Sequence, residues 1–295
     1  MYYFPYNEPL FRPPSEAGSL IFQITLGCSQ NSCRFCGMYK MKRFTIRPEE
    51  AILAEIAAVP VAHRPHIRRI FLADGDALIY PQEGLLRILA ALAEAFPNLT
   101  RIGAYASPNS LAKKSEEKLA ALQQRKLRIL YVGLESGDPE TLALADKGFT
   151  PQRMLELCQM AQQAGMKLSI TAILGLAGRQ RSREHAAATA AWINALSPAY
   201  FSLLTMFHRH NEAYYAAIEP LSNGEVIQEA LAIVRDLRPH HTILRSNHVS
   251  NILNLAGSYP KDREKIIAQA AAALEEAEKH PGWFNEVSDY EEEFY

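Results

Sequence analysis

Three of the four cysteines of this chain stand close together, in the run from Gly27 to Tyr39. They are Cys28, Cys33 and Cys36, with the spacing Cys-x4-Cys-x2-Cys. Three thiolates on one loop can bind a soft metal ion or an iron–sulfur cluster. Three ligands also leave one coordination position open, and a further ligand can bind there.

Three interpretations of this loop are open. A structural zinc site needs four ligands, usually two spaced pairs, and the sequence has no second pair. A redox dithiol could use Cys33 and Cys36, but a third cysteine directly after a predicted strand is not typical of a thioredoxin-like layout. The third interpretation is a [4Fe–4S] cluster in which three thiolates hold three irons and the fourth iron binds a small chelator.

Short apolar runs alternate with helical patterns along the chain, which predicts a parallel sheet in a barrel or partial barrel. The predicted strands are 19–25, 67–73, 101–106, 128–134, 167–174, 200–206 and 242–246. The predicted helices are 47–59, 82–96, 109–126, 151–164, 182–196, 224–237 and 262–279. The cysteine loop directly follows the first strand.

The loop resembles that of the radical S-adenosylmethionine (SAM) superfamily, in which an aromatic residue precedes the last cysteine; here it is Phe35. The family's usual spacing is Cys-x3-Cys-x2-Cys, so this chain has one extra residue. The resemblance implies a partial (β/α)6 TIM-like barrel. On this view residues 1–18 are irregular, 19–210 form the radical SAM core, and 211–295 form a substrate-side extension of the same domain that closes the barrel mouth.

Further motifs follow the ends of predicted strands, where β/α barrels place their ligands. Asp74-Gly75-Asp76 looks like the family's Gly-Gly-Glu motif, which holds the SAM amino group, and this makes Gly75 and Asp76 candidates for cofactor binding. The alternative is an ordinary Asp-Gly turn.

After the fourth strand comes Glu135-Ser136-Gly137, where a carboxylate suits ribose hydroxyls. The resemblance therefore implies that Glu135 lies at the SAM ribose, that Ser136 also binds the cofactor, and that Lys147 pairs with the SAM carboxylate. The alternative for Lys147 is a surface lysine.

After the fifth strand, Gly175 and Leu176 start a glycine-containing loop that resembles the family's adenine-binding segment, since glycine lets a flat ring approach the backbone. The start of a helix is the alternative. The resemblance also implies that Gly37–Tyr39, just after the last cysteine, lie near the adenine, and that Phe35 is a cofactor-binding residue.

Polar residues follow the last two predicted strands, beyond the cofactor motifs, and they are candidates for substrate binding. The candidates are His208, Arg245, Asn247, His248 and Asn251. An exposed histidine pair is the alternative for the segment around His208. Ser246 or Asn247 could also cap a helix running toward Leu255.

The composition is that of a globular protein, with 48% hydrophobic and 21% charged residues and a net charge of −1, so there is no overall basic footprint for nucleic acid. Few, clustered cysteines favour a reducing compartment. The start of the chain lacks the pattern of a signal peptide, and no apolar run is long enough for a membrane helix. We therefore expect a cytoplasmic protein that does not associate with a membrane.

The resemblance implies an oxygen-sensitive enzyme with a [4Fe–4S] cluster and SAM as cofactors. Reductive cleavage of SAM would give a 5′-deoxyadenosyl radical that abstracts hydrogen from substrate. The expected partners are a flavodoxin- or ferredoxin-like one-electron reductant and a small-molecule or peptide-sized substrate; nucleic acid is disfavoured. The alternatives are a zinc-stabilised interaction domain and a SAM- or cluster-binding protein without radical chemistry.

Overall fold

The computed structural model of the protein describes residues 4–208 and 210–287. The strands of the described residues are β1 (Leu20–Gln23), β2 (Thr25–Leu26), β3 (Thr45–Ile46), β4 (Arg69–Ala73), β5 (Arg101–Ala106), β6 (Leu127–Glu135), β7 (Lys167–Leu174), β8 (Tyr200–Thr205), β9 (Ile243–Arg245) and β10 (Ala256–Ser258). The helices are α1 (Glu49–Ala58), α2 (Gln82–Ala95), α3 (Pro108–Ala112), α4 (Glu116–Gln124), α5 (Pro139–Leu144), α6 (Pro151–Gln163), α7 (Gly178–Leu196), α8 (Glu212–Tyr215), α9 (Asn223–Asp236), α10 (Arg263–Glu278) and α11 (Pro281–Phe284).

Eight strands form one sheet in the order β1-β4-β5-β6-β7-β8-β9-β10, and β2 pairs with β3 in a separate hairpin. The sheet is mostly parallel, and β10 pairs antiparallel with β9. Since β1 and β10 are its edges, the sheet is open. This confirms the predicted partial barrel; that residues 211–295 cover its mouth, and the predicted domain boundaries, stay predictions.

The chain divides into two compact units. The first contains the described residues of Met1–Asn31, Met38–Val132 and Leu157–Leu168. All four residues of β1 are buried, which fits a strand covered on both faces. On α2, Leu85, Ile88, Leu89 and Leu92 are buried at helical spacing, so one stripe of the helix supplies core side chains.

The second unit contains the described residues of Ser32–Gly37, Gly133–Glu156 and Ser169–Tyr295. Here α9 packs against both α7 and α10. Helix α9 begins with a capping box: the Ser222 side chain accepts from the Glu225 amide, and Glu225 accepts in return from the Ser222 amide. This sequence-local signal fixes where a central helix of the unit starts.

Two sequence predictions differ from the structure. The predicted helix 109–126 is two helices, α3 and α4, because Ser115 caps a new start by accepting from the Lys118 amide. No helix begins between Ser246 and Leu255, a segment that the structure describes in full. Instead the chain returns as β10 and pairs with β9, so the helix-cap alternative for this segment is wrong.

Among the residues that the structure describes, no helix is both long enough and apolar enough to cross a membrane.

Candidate functional site

In the first unit, the Asp74-Gly75-Asp76 segment after β4 is hydrogen-bonded to the start of the cysteine loop. The Gly75 amide donates to the Gly27 carbonyl at 3.1 Å, and the Gly27 amide donates to Asp74 Oδ2 at 2.9 Å. A Cβ atom on Gly75 would lie 2.8 Å from Cys28 Cβ and 2.8 Å from the Tyr39 ring. The segment therefore requires glycine at this position, because any side chain would displace the first cysteine.

Asp76 is fully buried and is held by serines. It accepts hydrogen bonds from the Ser29 hydroxyl, from the Ser107 amide at 3.0 Å and from the Ser107 hydroxyl at 2.7 Å. Burial raises the pKa of Asp76, and the bonds from the serines counteract this. The carboxylate thus links the cysteine loop to the end of β5. Its predicted contact with SAM stays a prediction.

Asp74 forms a buried ion pair with Lys42, at 2.9 Å. Burial raises the pKa of Asp74, while the hydrogen bond from Lys42 lowers it. The base of the loop is closed by a hydrogen bond of 2.8 Å from Asn31 Nδ2 to the Tyr39 carbonyl. The Tyr39 ring is buried, edge-on to Phe11 with ring centroids 5.5 Å apart. The Asn31 contact thus holds one of the residues between Cys28 and Cys33 in place.

In the second unit, the end of the cysteine loop is anchored by its backbone and by apolar contacts. The Arg34 amide donates to the Ala145 carbonyl at 2.9 Å, and Asn211 Nδ2 donates to the Phe35 carbonyl at 2.8 Å. Cys33 and Phe35 are buried in one hydrophobic cluster, against which Cys36 packs. The other buried members of this cluster are Ala145, Leu176, Met206 and Tyr214.

Glu135 and Lys147, predicted to contact SAM, form an ion pair with 2.9 Å between Lys147 Nζ and Glu135 Oε1. Their side chains are only 11% and 9% exposed, so Lys147 is not a surface lysine. Glu135 has φ of +66°, and a Cβ on Gly133 would lie 1.9 Å from its carboxylate oxygen. Gly133 thus makes room for the Glu135 side chain.

The residues after Glu135 pack onto α7. Ser136 is fully buried; its hydroxyl accepts from the Asp138 amide at 3.0 Å and lies 2.7 Å from His185 Nδ1. A Cβ on Gly137 would lie 2.3 Å from the Ala188 carbonyl oxygen. These contacts hold Ser136 below the protein surface, and its predicted contact with the cofactor stays a prediction.

Asp138 is the N-cap of α5 and accepts from the Thr141 amide at 2.9 Å. Arg181 forms two hydrogen bonds with this carboxylate, each of 2.9 Å. Burial alone would raise the pKa of Asp138, but the bonds from Arg181 and Thr141 lower it to about 2. The Asp138–Arg181 hydrogen bonds thus connect the turn after β6 to α7, in addition to the contact between Ser136 and His185.

Gly175 has φ of +80°, and nothing lies within 4 Å of where its Cβ would be. The amide of Gly175 donates to Glu229 Oε1 at 2.7 Å, and the Leu176 carbonyl accepts from the Tyr214 hydroxyl at 2.8 Å. A cavity of about 30 Å³ adjoins Gly175, with Thr205 and Met206 also in its wall. The open backbone at Gly175 suits the close approach of a flat group.

The substrate candidates divide into anchored and exposed residues. Asn251 Nδ2 donates to the Leu203 carbonyl at 2.8 Å, so Asn251 ties the loop after β9 to β8. His248 is half-buried, with Nδ1 2.8 Å from the Ser250 hydroxyl, and burial lowers its pKa. Arg245 and Asn247 are exposed.

His208 lies beside Tyr215, with ring centroids 3.5 Å apart. Its environment is partly buried, so the exposed-histidine alternative does not describe it. The substrate roles of His208 and of the loop after β9 stay predictions.

A larger groove of about 510 Å³ opens at the start of β1 in the first unit, with Tyr6, Arg12 and Ser19 in its wall. It contains none of the predicted site residues, so it does not mark the predicted cofactor site. None of the four cysteines is in a disulfide. Within the part of the chain that the structure describes, no three His, Cys, Asp or Glu side chains are grouped closely enough to hold one metal ion.

Several residues that shape the second unit lie in no sequence motif, above all Glu229 and His185. Both are buried, and Glu229 lies on the apolar stripe of α9 with Val226 and Ile233. A carboxylate at such a position is unusual, because burial of a charge requires partners. A glutamate within an apolar helical stripe was therefore the sequence feature that could have identified Glu229 as a functional candidate.

Comparison with known proteins agrees with this geometry. The family model described as the Radical SAM superfamily matches residues 22–192, more than half of the chain. The chain therefore belongs to the radical SAM superfamily, as the resemblance predicted, and is an enzyme. No curated protein matched it.

Solved structures of radical SAM enzymes share the fold. The methyltransferase TsrM from Kitasatospora setae, solved with cobalamin and a [4Fe–4S] cluster, is 20% identical with a TM-score of 0.51, over 63% of this chain and 36% of TsrM. Coproporphyrinogen III oxidase (HemN) from Escherichia coli is 18% identical with a TM-score of 0.54, over 74% of this chain and 52% of HemN. Methylornithine synthase (PylB) is 12% identical with a TM-score of 0.54, over 87% of this chain and 80% of PylB. The chain thus spans about a third of TsrM and half of HemN.

Proposed function

We propose that this enzyme binds a [4Fe–4S] cluster through Cys28, Cys33 and Cys36 and uses it to cleave SAM reductively. The observation that carries the proposal is the three-cysteine loop after β1, with none of its thiols in a disulfide and with Gly75 leaving room beside Cys28. Thiolates are the ligands of such clusters, and each binds a different iron, so they need not group around one point.

The chain's own residues have separable roles in this proposal. Gly75 and Asp76 keep the first cysteine in place, Glu135 and Lys147 offer charged partners for SAM, and Gly175 with Leu176 offers open backbone for the adenine. When bound, the cluster supplies one electron to the sulfonium of SAM, giving methionine and a 5′-deoxyadenosyl radical that takes a hydrogen atom from substrate. Phe35 and the apolar residues around it exclude water from the cysteine loop.

The proposal includes three further elements. The electron comes from a flavodoxin- or ferredoxin-like donor in a reducing compartment such as the cytoplasm. The substrate is a small molecule or a peptide-sized one rather than a nucleic acid, because the net charge of −1 provides no overall basic footprint. His208, Asn247 and His248 are proposed to contact it.

Anaerobic reconstitution with iron and sulfide, followed by SAM and dithionite, tests the proposal. We expect a brown protein with about four iron atoms per chain, the number in one [4Fe–4S] cluster, and release of 5′-deoxyadenosine. The Cys33→Ala variant should lose the cluster, whereas Cys158→Ala should keep it. Zinc in a colourless protein would instead support the interaction-domain alternative. A brown protein that binds SAM without cleaving it would support binding without radical chemistry.

A further inference from the structure

A row of buried polar side chains in the second unit lies between the ends of β6 and β7. His185 Nδ1 lies 2.7 Å from the Ser136 hydroxyl, and its Nε2 lies 3.7 Å from Glu229 Oε1. The same Glu229 oxygen accepts the Gly175 amide at 2.7 Å. Its other oxygen accepts from the Ser182 hydroxyl.

Serine, histidine and glutamate in this order are the residue types of a hydrolytic triad. Here, however, Ser136 and His185 are 0% exposed and Glu229 is 2% exposed, so no substrate can reach the hydroxyl. These three residues can therefore act only by positioning the backbone and side chains that they contact.

The Ser136 hydroxyl has two hydrogen-bond partners, because its oxygen accepts from the Asp138 amide and it shares a second hydrogen bond with His185 Nδ1. A hydroxyl oxygen can accept twice and donate once, so the direction of the second bond follows the tautomer of His185. His185 Nε2 faces Glu229 Oε1 at 3.7 Å, which is beyond hydrogen-bond distance, and it has no hydrogen-bond partner among the residues that the structure describes. The hydrogen bonds that fix the Glu229 carboxylate are those from the Gly175 amide and the Ser182 hydroxyl.

The supported element is the turn at Gly175. Its left-handed backbone leaves open space where a side chain would be, while its amide points to Glu229. Helix α9 is buried along most of its length, so Glu229 is a fixed acceptor rather than a mobile one.

We propose that Glu229 is a positioning residue for SAM: it holds the Gly175 turn open for the adenine, and Ser182 fixes the orientation of its carboxylate. This inference rests on the proposed function, since it concerns the same cofactor. Glu229 does not touch SAM in this proposal and takes no part in electron or hydrogen transfer.

The test compares SAM affinity with stability in reconstituted protein. We expect Glu229→Ala to raise the SAM dissociation constant about tenfold, measured by equilibrium dialysis, because the turn loses its acceptor. Glu229→Gln keeps one oxygen for the Gly175 amide, and its amide nitrogen can donate to Ser182 Oγ. It should therefore stay within about threefold of the wild-type value.

The matched control is Val234→Ala on the same helix, where a fully buried side chain is truncated away from Gly175. We expect it to lower the melting temperature without changing SAM affinity. A second readout is the electron paramagnetic resonance spectrum of the reduced cluster, which should change at a higher SAM concentration in Glu229→Ala but not in Val234→Ala.

Equal SAM affinity of Glu229→Ala and wild type would overturn the inference, as would an equal loss in Val234→Ala. If Glu229→Ala does not fold, Ser182→Ala decides, since it frees one carboxylate oxygen of Glu229 from its hydrogen bond; an unchanged affinity would then refute the positioning role. A wild-type protein that binds no SAM would refute the proposed function itself, a result distinct from any of these.

Discussion

Removal of the Lys147 ammonium should both destabilise the second unit and weaken SAM binding. The ion pair with Glu135 has 2.9 Å between charged atoms, and both side chains are nearly buried. At this distance two unit charges attract by about 6 kcal/mol at an effective dielectric constant of about 20. Desolvation offsets much of that attraction, and removal of one partner of a buried pair costs about 3–5 kcal/mol.

Because the side chains of Lys147 and Glu135 are still about a tenth exposed, we expect the lower end of this range, about 3 kcal/mol, for Lys147→Met. For a chain of 295 residues, with an unfolding entropy of about 2.1 cal/mol/K per residue, that corresponds to a fall in melting temperature of about 5 °C. Thermal unfolding followed by circular dichroism measures it.

The double variant Glu135→Gln with Lys147→Met separates stability from function. It leaves no unpaired buried charge. The loss in its free energy of unfolding should therefore be smaller than the sum of the two single losses by a coupling energy of about 2 kcal/mol, and its melting temperature should be correspondingly higher than additivity predicts. Its SAM affinity should stay as weak as that of the single variants, because both predicted SAM partners are gone. The matched control is Lys279→Met, which breaks the exposed pair with Glu276 and should leave the melting temperature unchanged.

Two results would refute this reasoning. Additive effects of the two substitutions on the melting temperature would show that the ion pair does not stabilise the fold. Normal SAM affinity in the double variant would show that Glu135 and Lys147 support the structure only, and that neither one binds SAM.

Three further outcomes are expected. Gly75→Ala should lower iron incorporation, because its Cβ would lie 2.8 Å from Cys28 Cβ and overpacking costs about 1–3 kcal/mol; Gly282→Ala, with nothing within 4 Å, is its control, and equal iron content in both would contradict the argument. Cys158 should resist alkylation in the native protein, since burial raises the pKa of its thiol to about 12; rapid labelling, read by mass spectrometry, would show it accessible. His248 should titrate below pH 6.5 in a nuclear magnetic resonance experiment, because burial lowers its pKa. Its folded form resists protonation, so this residue should reduce stability as the pH falls below 6.5, and His248→Gln should lessen that loss.

Much of the fold could be predicted from local patterns. The predicted strands 101–106 and 167–174 coincide with β5 and β7, and the helix predicted from Gln82 begins there as α2. Alternation of apolar runs and amphipathic stretches depends on neighbours along the chain, so the sequence displays it directly. The single helix predicted for 109–126 was wrong because a capping serine, Ser115, overrides the periodicity around it.

The site was predictable to the extent that motifs follow strands. Cys28, Cys33 and Cys36 could be singled out from spacing alone, and the segments at Gly75, Glu135 and Gly175 each follow a strand of the parallel sheet. The family of the chain was also readable from these motifs. Their individual contacts with the cofactor stay predictions.

Only the tertiary structure decided which partners these residues have. Glu229 accepts a hydrogen bond from Gly175, which is 54 positions away in the sequence, and Asp76 accepts one from Ser107, which is 31 positions away. No local pattern encodes such hydrogen bonds, because they depend on how helices and strands pack once their apolar faces are buried. The same holds for the closeness of Gly75 to Cys28, which the sequence shows only as a glycine between two acids. The sequence thus determined which residues are candidates for the chemistry, and packing determined what holds them.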